Sequence, residues 1–213
     1  MTGGTLADAP RLALLRAVLP HVAFDGWSER ALKAGAADLG MTAAMARALF
    51  PGGGTELVAL HCRNMDDEMA RLLAARGLDT LRVRDRIVAA VRLRLELAGT
   101  EREAVRRAVT LLALPGNAGL GARLLYGTVD AIWRAAGDTA TDWNFYSKRG
   151  LLAAVYGSSV LYWLQDDSEG YEDTWAFLSR RVDDVMRIPK AGTKMRRLFA
   201  PFRPAPRPQA RRL

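Results

Sequence analysis

Few residues in this sequence have the type and spacing that catalysis or metal binding requires. His61 and Cys62 are neighbours, and neighbours on a helix point about 100° apart, so they cannot both aim at one metal ion or act as base and nucleophile. We expect a buried cysteine beside a surface histidine. One cysteine and two histidines in the whole chain exclude a disulfide framework and a zinc site built from cysteines or from several histidines.

The acidic residues also lack a catalytic pattern. Residues 66–68 and 165–169 are rich in carboxylates, but no Glu-x-x-His pair is present to build a di-iron site in a helical bundle. No glycine-rich phosphate-binding loop follows a strand. We interpret residues 66–68 as a solvated helix face and residues 165–169 as a loop. The sequence predicts a protein that is not an enzyme and has no metal or cofactor; an enzyme with an unusual site is the alternative.

The spacing of apolar residues predicts an all-α fold. They recur at helical spacing along most of the chain, and no stretch of six or more residues combines a clean alternation of apolar and polar side chains with turn residues at both ends. Arg11–Leu19 is the first expected helix and Pro20 its end, while Ser28 and Thr42 can cap the next two. Thr100–Glu103 is a capping-box sequence. Six longer helices are expected at about residues 55–76, 79–98, 100–114, 117–136, 142–165 and 171–188, which makes about nine helices in all.

The first fifty residues contain three of the expected helices: two flank Asp25-Gly26-Trp27, and a short third is expected between Gly40 and Phe50. This order resembles the N-terminal DNA-binding module of TetR-type regulators. In that module the third helix enters the major groove, where basic and hydrogen-bonding side chains are needed. Residues 42–49 offer one arginine and one threonine, and residues 1–50 hold five basic against four acidic residues. We therefore expect residues 1–54 to keep a helix-turn-helix shape without DNA-reading residues, and we expect no nucleic-acid partner.

Four later segments form a pattern that goes beyond helical spacing. They are Asp130–Trp133, the block Gly137–Arg149, Leu164–Asp166 and Asp173–Leu178. Together they resemble the Coq-nine family of ubiquinone (coenzyme Q) biosynthesis accessory proteins. The resemblance spans about residues 10–190. It implies a TetR-like helical bundle, a homodimer, and a helical domain over residues 55–188 for lipid binding and dimerisation.

The same resemblance implies a function. A protein of this family is a non-enzymatic accessory protein that binds isoprenoid quinone precursors and presents them to the di-iron demethoxyubiquinone hydroxylase at the membrane. No cofactor is implied beyond the bound lipid or isoprenoid precursor. The alternative interpretation is a TetR-type transcriptional regulator with a hydrophobic effector pocket.

Glycines interrupt the helices of the C-terminal half, which indicates either close helix packing or space for a guest. We expect a long isoprenoid to fill a gap between these helices. Gly127→Leu is expected to overpack the bundle or to exclude the guest. The predicted lipid-binding residues are Val88, Val91, Leu95, Leu120, Leu124, Gly127, Val155, Tyr156 and Trp163.

The positions that match the family's motif are expected to bind the hydroxylase. Aromatic residues and arginine dominate the energy of protein interfaces. Trp143, Phe145 and Tyr146 cannot all share one face of a helix, so part of this aromatic surface should be exposed. The predicted partner-binding residues are Asp138, Asp142, Phe145, Tyr146 and Arg149.

The positive charge of the chain is concentrated at its end. Of 31 basic residues nine lie in residues 187–213, which hold no acidic residue, while the preceding chain has a net charge of −1. We expect residues 189–213 to form a proline-rich basic tail that contacts an anionic membrane surface. A nucleic-acid-binding tail and a disordered solubility tail are the alternatives. The expected membrane residues are Lys194, Met195, Arg196, Arg197, Leu198, Phe199, Phe202 and Arg203.

The N-terminal residues carry no basic segment before Arg11 and no apolar signal core. This pattern is not that of a signal or transit peptide. We therefore expect a bacterial-type cytoplasmic protein that is peripheral on the inner membrane.

Overall fold

The computed structural model describes the backbone of residues 9–137 and 143–187, and every regular element in these two ranges is helical. The predicted all-α class and the predicted number of helices are confirmed. The α-helices are α1 (Ala9–Asp25), α2 (Glu29–Asp38), α3 (Ala43–Leu49), α4 (Gly53–Arg76), α5 (Val83–Leu97), α6 (Arg102–Ala113), α7 (Ala118–Ala135), α8 (Trp143–Trp163) and α9 (Glu172–Arg187). Short 3-10 turns lie at Leu78–Thr80, Gly99–Glu101, Pro115–Asn117 and Glu169–Tyr171.

The predicted caps of the second and third helices form. The hydroxyl of Ser28 accepts a hydrogen bond from the backbone N–H of Ala31, and the hydroxyl of Thr42 accepts one from Met45. Each bond satisfies a backbone donor that the first turn of a helix leaves unpaired. The start of both helices could therefore be identified from one residue type in the right place.

Pro20 does not end α1, contrary to the sequence-based expectation. The helix continues through Pro20 to Asp25 and stops at Gly26, whose φ is 66°. An internal proline removes one helical hydrogen bond and crowds the preceding turn. Val18 and Val22 are fully buried on either side of it, and the burial of these side chains offsets that cost.

The capping box at the start of α6 does not form either. Gly99–Glu101 is a 3-10 turn, and no side chain caps the first turn of α6. The carboxylate of Glu103 binds Arg107 at 2.9 Å and Arg106 at 3.2 Å instead. These pairs lie three and four residues along the helix, where oppositely charged side chains meet. They compete with the hydrogen bond that the Glu103 carboxylate would accept from the Thr100 backbone N–H in a capping box.

Two clusters of buried apolar side chains form the core, and α4 contributes to both. One contains Val18, Phe50 and Leu57 and collects the side chains of α1 to α4 with two alanines of α6. The other contains Met69 and Trp163 and joins α4 to α5, α7, α8 and α9. The predicted division into residues 1–54, 55–188 and 189–213 stays a prediction, and α4 continues across its first boundary.

The predicted loop between α8 and α9 is confirmed. Asp166 is buried in it and accepts hydrogen bonds from the backbone N–H groups of Ser168 and Thr174 and from the Thr174 hydroxyl. Burial acts to raise the pKa of Asp166, but these bonds prevail and lower that pKa to about 2. The ionised carboxylate thus holds the loop against the start of α9.

No single helix among the described residues is long and apolar enough to cross a membrane. One bent pair, residues 99–113 and 115–135, meets the length and composition criteria when taken together, and its two arms meet at 95°.

Candidate functional site

A groove of about 580 Å³ runs between α4 and the first half of α7. The α4 wall consists of side chains at helical spacing, so they share one face of the helix. We call this feature the α4–α7 groove. Its lining residues are Gly52, Thr55, Glu56, Ala59, Cys62, Arg63 and Asp66 on one side and Leu120, Arg123, Leu124 and Gly127 on the other.

The charged side chains of the α4–α7 groove that have no ion-pair partner among the described residues are arginines. Arg63 and Arg123 are exposed, and neither forms an ion pair within the part of the chain that the structure describes. Glu56 is engaged, since it binds Arg11 at 2.5 Å and accepts a hydrogen bond from the Gly52 backbone N–H at 2.9 Å. The other carboxylate of the groove also has a cationic partner. An apolar wall with two unpaired guanidinium groups suits an amphiphile with an anionic or strongly polar head.

A buried polar cluster forms the floor of the α4–α7 groove. Arg94 donates a hydrogen bond to Asp66 at 2.7 Å, and the Thr128 hydroxyl donates one to the other carboxylate oxygen at 2.9 Å. Burial raises the pKa of Asp66, while Arg94 and Thr128 act in the opposite direction. The sequence suggested that Asp66 lies on a solvated face, but Asp66 is buried. Of residues 66–68, Asp67 is exposed and Glu68 is half-exposed.

His61 and Cys62 also differ from the expectation. His61 is buried, with its ring 5.4 Å from that of Trp27, whereas Cys62 is half-buried at the groove. Burial lowers the pKa of His61 to about 4 and raises the pKa of the Cys62 thiol. A thiol with a raised pKa is a poor nucleophile at neutral pH. Among the described residues, no group of three or more His, Cys, Asp or Glu side chains could hold a metal ion.

The predicted lipid-binding residues do not all lie together. Leu120, Leu124 and Gly127 line the α4–α7 groove. The remaining six lie in or against the core that joins α5, α7, α8 and α9. Burial in this core raises the pKa of Tyr156 to about 12. These core residues are Val88, Val91, Leu95, Val155, Tyr156 and Trp163.

Gly127 is exposed, and a Cβ atom there would meet no heavy atom within 4 Å. Gly127→Leu would therefore narrow the groove without overpacking the bundle. Sequence reasoning missed the α4 wall, although a signal existed. Thr55, Ala59, Cys62 and Asp66 recur at four-, three- and four-residue intervals along one helical face.

Of the five predicted hydroxylase-binding residues, the structure describes the side chain of one, Arg149. Arg149 is buried and pairs with Asp130 of α7 at 2.7 Å, so it lies inside the protein and not on an exposed patch. Asp138, Asp142, Phe145 and Tyr146 lie outside the residues whose side chains the structure describes. The predicted membrane residues from Lys194 to Arg203 lie outside the described residues as well.

A second concavity, of about 650 Å³, lies at the loop between α8 and α9. Its charged lining residues, Asp166, Asp167 and Asp173, are all acidic, and Asp166 is already hydrogen-bonded within the loop. The lining of this concavity therefore has no cationic side chain to bind the headgroup of an anionic lipid. The α4–α7 groove is thus the better candidate site.

Comparison with known proteins supplies the family context. Residues 118–189 match the COQ9 family model. The chain is 35% identical over 182 residues to the human protein named "Ubiquinone biosynthesis protein COQ9, mitochondrial", covering 82% of this chain and 57% of the human protein. The rat protein of that name is 36% identical over 183 residues, with 82% and 58% covered. The Drosophila melanogaster protein is 32% identical over 188 residues, with 85% and 56% covered. The chain thus spans a little over half the length of these relatives.

The fold has a solved counterpart. A TetR transcriptional regulator from Nitrosomonas europaea superposes with a TM-score of 0.68 at 19% identity, covering 83% of this chain and 98% of that one. This likeness confirms the TetR-like fold. The COQ9 relatives are named as mitochondrial proteins. The expected bacterial-type cytoplasmic location on the inner membrane is therefore wrong.

Proposed function

Because the chain is related to the COQ9 family of ubiquinone biosynthesis proteins over most of its length, we propose that it acts in ubiquinone biosynthesis as a non-enzymatic lipid-binding accessory protein. The observation that carries the proposal is the α4–α7 groove. Its apolar side chains and its two unpaired arginines suit a ligand with an apolar tail and a polar head.

In this proposal the ligand is an isoprenoid quinone precursor or another isoprenoid lipid. Leu120 and Leu124 contact its apolar chain, and the open position at Gly127 leaves room for it. Arg63 and Arg123 bind the polar head. Asp66 does not repel an anionic head strongly, because Arg94 balances its charge from below.

We further propose that a homodimer of the chain presents this ligand to the di-iron hydroxylase of the pathway. Asp130 and Arg149 come from two of the segments that resemble the family, and their ion pair joins α8 to α7. The other predicted contact residues, Asp138, Asp142, Phe145 and Tyr146, precede Arg149 in the sequence. Leu161 and Tyr162 of α8 are exposed and supply apolar surface for a dimer contact.

The regulator alternative receives little support from α3. Its only basic side chain, Arg47, is paired with Glu29 of α2. The exposed positions Ala43, Ala44 and Ala48 offer no hydrogen-bonding groups to base edges. The likeness to the Nitrosomonas europaea regulator extends to the fold alone.

Gly127→Leu tests the groove. The substitution places a side chain in open space, and replacing a helical glycine favours the helix by up to about 1 kcal/mol, so the variant should fold. We expect it to copurify with at least several-fold less lipid than the wild type, as measured by mass spectrometry of the protein purified without detergent.

Gly150→Leu is the matched control. Gly150 is also an exposed helical glycine, its Cβ would also meet no heavy atom within 4 Å, and it lies outside the α4–α7 groove. The control should retain the wild-type lipid content. Equal lipid in both variants would show that the groove is not the binding site.

A further inference from the structure

The corner where α6 meets α7 exposes apolar side chains. Leu114 is 52% exposed and Tyr126 is 45% exposed, and the fifteen residues 108–122 carry no charge. We call residues 113–126 the α6–α7 corner. An exposed apolar patch of this kind is unfavourable in water, and it commonly marks contact with a lipid or a partner.

Several backbone groups of the α6–α7 corner are paired within the corner. The last carbonyl groups of a helix normally turn to water. Here the side chain of Asn117 donates to the Leu111 carbonyl at 2.9 Å, and its backbone N–H donates to the Leu114 carbonyl at 2.8 Å. The N–H of Ala118 bonds the Pro115 carbonyl, and Pro115 has no N–H of its own. This pairing lowers the cost of moving the corner out of water.

The charges around the α6–α7 corner favour contact with an anionic surface. No acidic residue occurs in residues 104–129, whereas this range holds three arginines. Arg123 is exposed and unpaired within the described residues, at the point where the uncharged stretch ends. An apolar tip bordered by an arginine is the pattern of a segment that lies in the interface of a bilayer, where the guanidinium group reaches the phosphates.

We propose that the α6–α7 corner inserts into the interfacial region of an anionic lipid bilayer, with Leu114 in the apolar boundary and with Arg123 and Tyr126, both farther from the bend, at the level of the lipid phosphates. The two arms meet at 95°, so the corner dips into one leaflet and does not cross it. Gly121 keeps the arms close together, since a Cβ there would lie 3.3 Å from the Leu112 carbonyl oxygen. This contact is separate from the predicted contact of the basic tail.

The insertion does not depend on the proposed lipid-binding function, but it bears on it. Arg123 belongs to both the α6–α7 corner and the α4–α7 groove. A corner seated in the bilayer therefore places one end of the groove next to the membrane surface, from which a lipid can enter.

Flotation of the full chain with vesicles tests the insertion. The vesicles consist of phosphatidylcholine with or without phosphatidylserine. Leu114→Glu should weaken binding to the phosphatidylserine vesicles by about tenfold or more, because it places a charge where the proposal puts an apolar side chain into the bilayer. Leu81→Glu is the control, since Leu81 is 41% exposed in the linker before α5. It should bind like the wild type, and equal binding of the two variants would refute the proposal.

A second measurement detects insertion even if the tail dominates affinity. In the full chain, Cys62→Ser removes the native cysteine, and a single new cysteine replaces either Leu114 or Leu81. An environment-sensitive dye is attached to the new cysteine of each variant. Phosphatidylserine vesicles should shift the dye emission to the blue at position 114 and leave it unchanged at position 81. Circular dichroism checks that the variants fold. An unshifted dye at position 114 would overturn the proposal, and a changed oligomeric state of Leu114→Glu would then assign the corner to a protein contact.

Discussion

His61 is an ionisable side chain that the fold holds in its uncharged form. It lies in the core against Trp27, with Nδ1 3.5 Å from a carboxylate oxygen of Glu101. That carboxylate would favour the charged ring. Burial prevails, and with Arg94 it lowers the pKa of His61 to about 4. Burial also raises the pKa of Glu101, so the pair is not a strong salt bridge.

The buried histidine should make the protein less stable in mild acid. The pKa of His61 is lower in the folded chain than its ordinary value of 6.5, so its contribution to stability is fully present above about pH 6.5. That contribution is lost progressively as the pH falls to about 4 and is constant below that pH. It amounts to at most about 3 kcal/mol. Urea unfolding at a series of pH values measures it.

His61→Gln removes the titrating group and keeps a polar side chain. The variant should show a weaker fall in unfolding free energy between about pH 6.5 and pH 4 than the wild type. Parallel curves for the two proteins would mean that His61 is not the group responsible.

At the scale of the helices, one buried ion pair joins three of them. Asp66 of α4 binds Arg94 of α5 and Thr128 of α7. Arg94→Met should cost about 3–5 kcal/mol, because it leaves a buried carboxylate without its counter-charge. Thr128→Val should cost about 1–3 kcal/mol through the lost hydrogen bond. Chemical denaturation of the purified variants measures both losses.

A double substitution separates the ion pair from simple packing. Asp66→Leu with Arg94→Met should lose less stability than Arg94→Met alone, because no unpaired charge remains. Arg71→Met serves as the control, since Arg71 pairs with Glu68 on the exposed face of α4, and it should change stability little. An equal or larger loss in the double variant would contradict this account of the cluster.

Local signals predicted most of the helices but not the pairings between them. Ser28 and Thr42 cap helices through bonds to residues three positions away, so the sequence contained all that was needed. The partner of Asp66 lies 28 residues along the chain, and nothing near Asp66 indicates that it is buried. The continuation of α1 through Pro20 depends in the same way on distant contacts of its apolar face.

The candidate site could be predicted only on its α7 wall. Leu120, Leu124 and Gly127 were identified from the glycines and leucines of one segment. The sequence predicts a buried Cys62 and a solvated Asp66 in place of a shared groove wall, because this helical stripe of α4 mixes polar and apolar residues. Which helix lies against α7 is a property of the assembled bundle, and no local pattern encodes it.

At the scale of the whole molecule, α4 connects the two halves of the fold. Its first turns pack with the helix-turn-helix module, and its last turns pack with α5 in the second core. The α4–α7 groove and the α6–α7 corner share Arg123. In the proposed function, the TetR-like architecture therefore carries a lipid site and a membrane contact side by side, and its N-terminal module serves as a support without reading DNA.

The central claim is that this chain assists the di-iron hydroxylase by supplying its lipid substrate. The most direct test measures conversion of demethoxyubiquinone by the purified hydroxylase in phosphatidylserine-containing vesicles, with and without the full chain. We expect a several-fold faster conversion with the wild-type chain, a much smaller gain with Gly127→Leu, and no conversion by the chain alone. An unchanged hydroxylase rate on addition of the chain, or conversion by the chain without the hydroxylase, would contradict the claim.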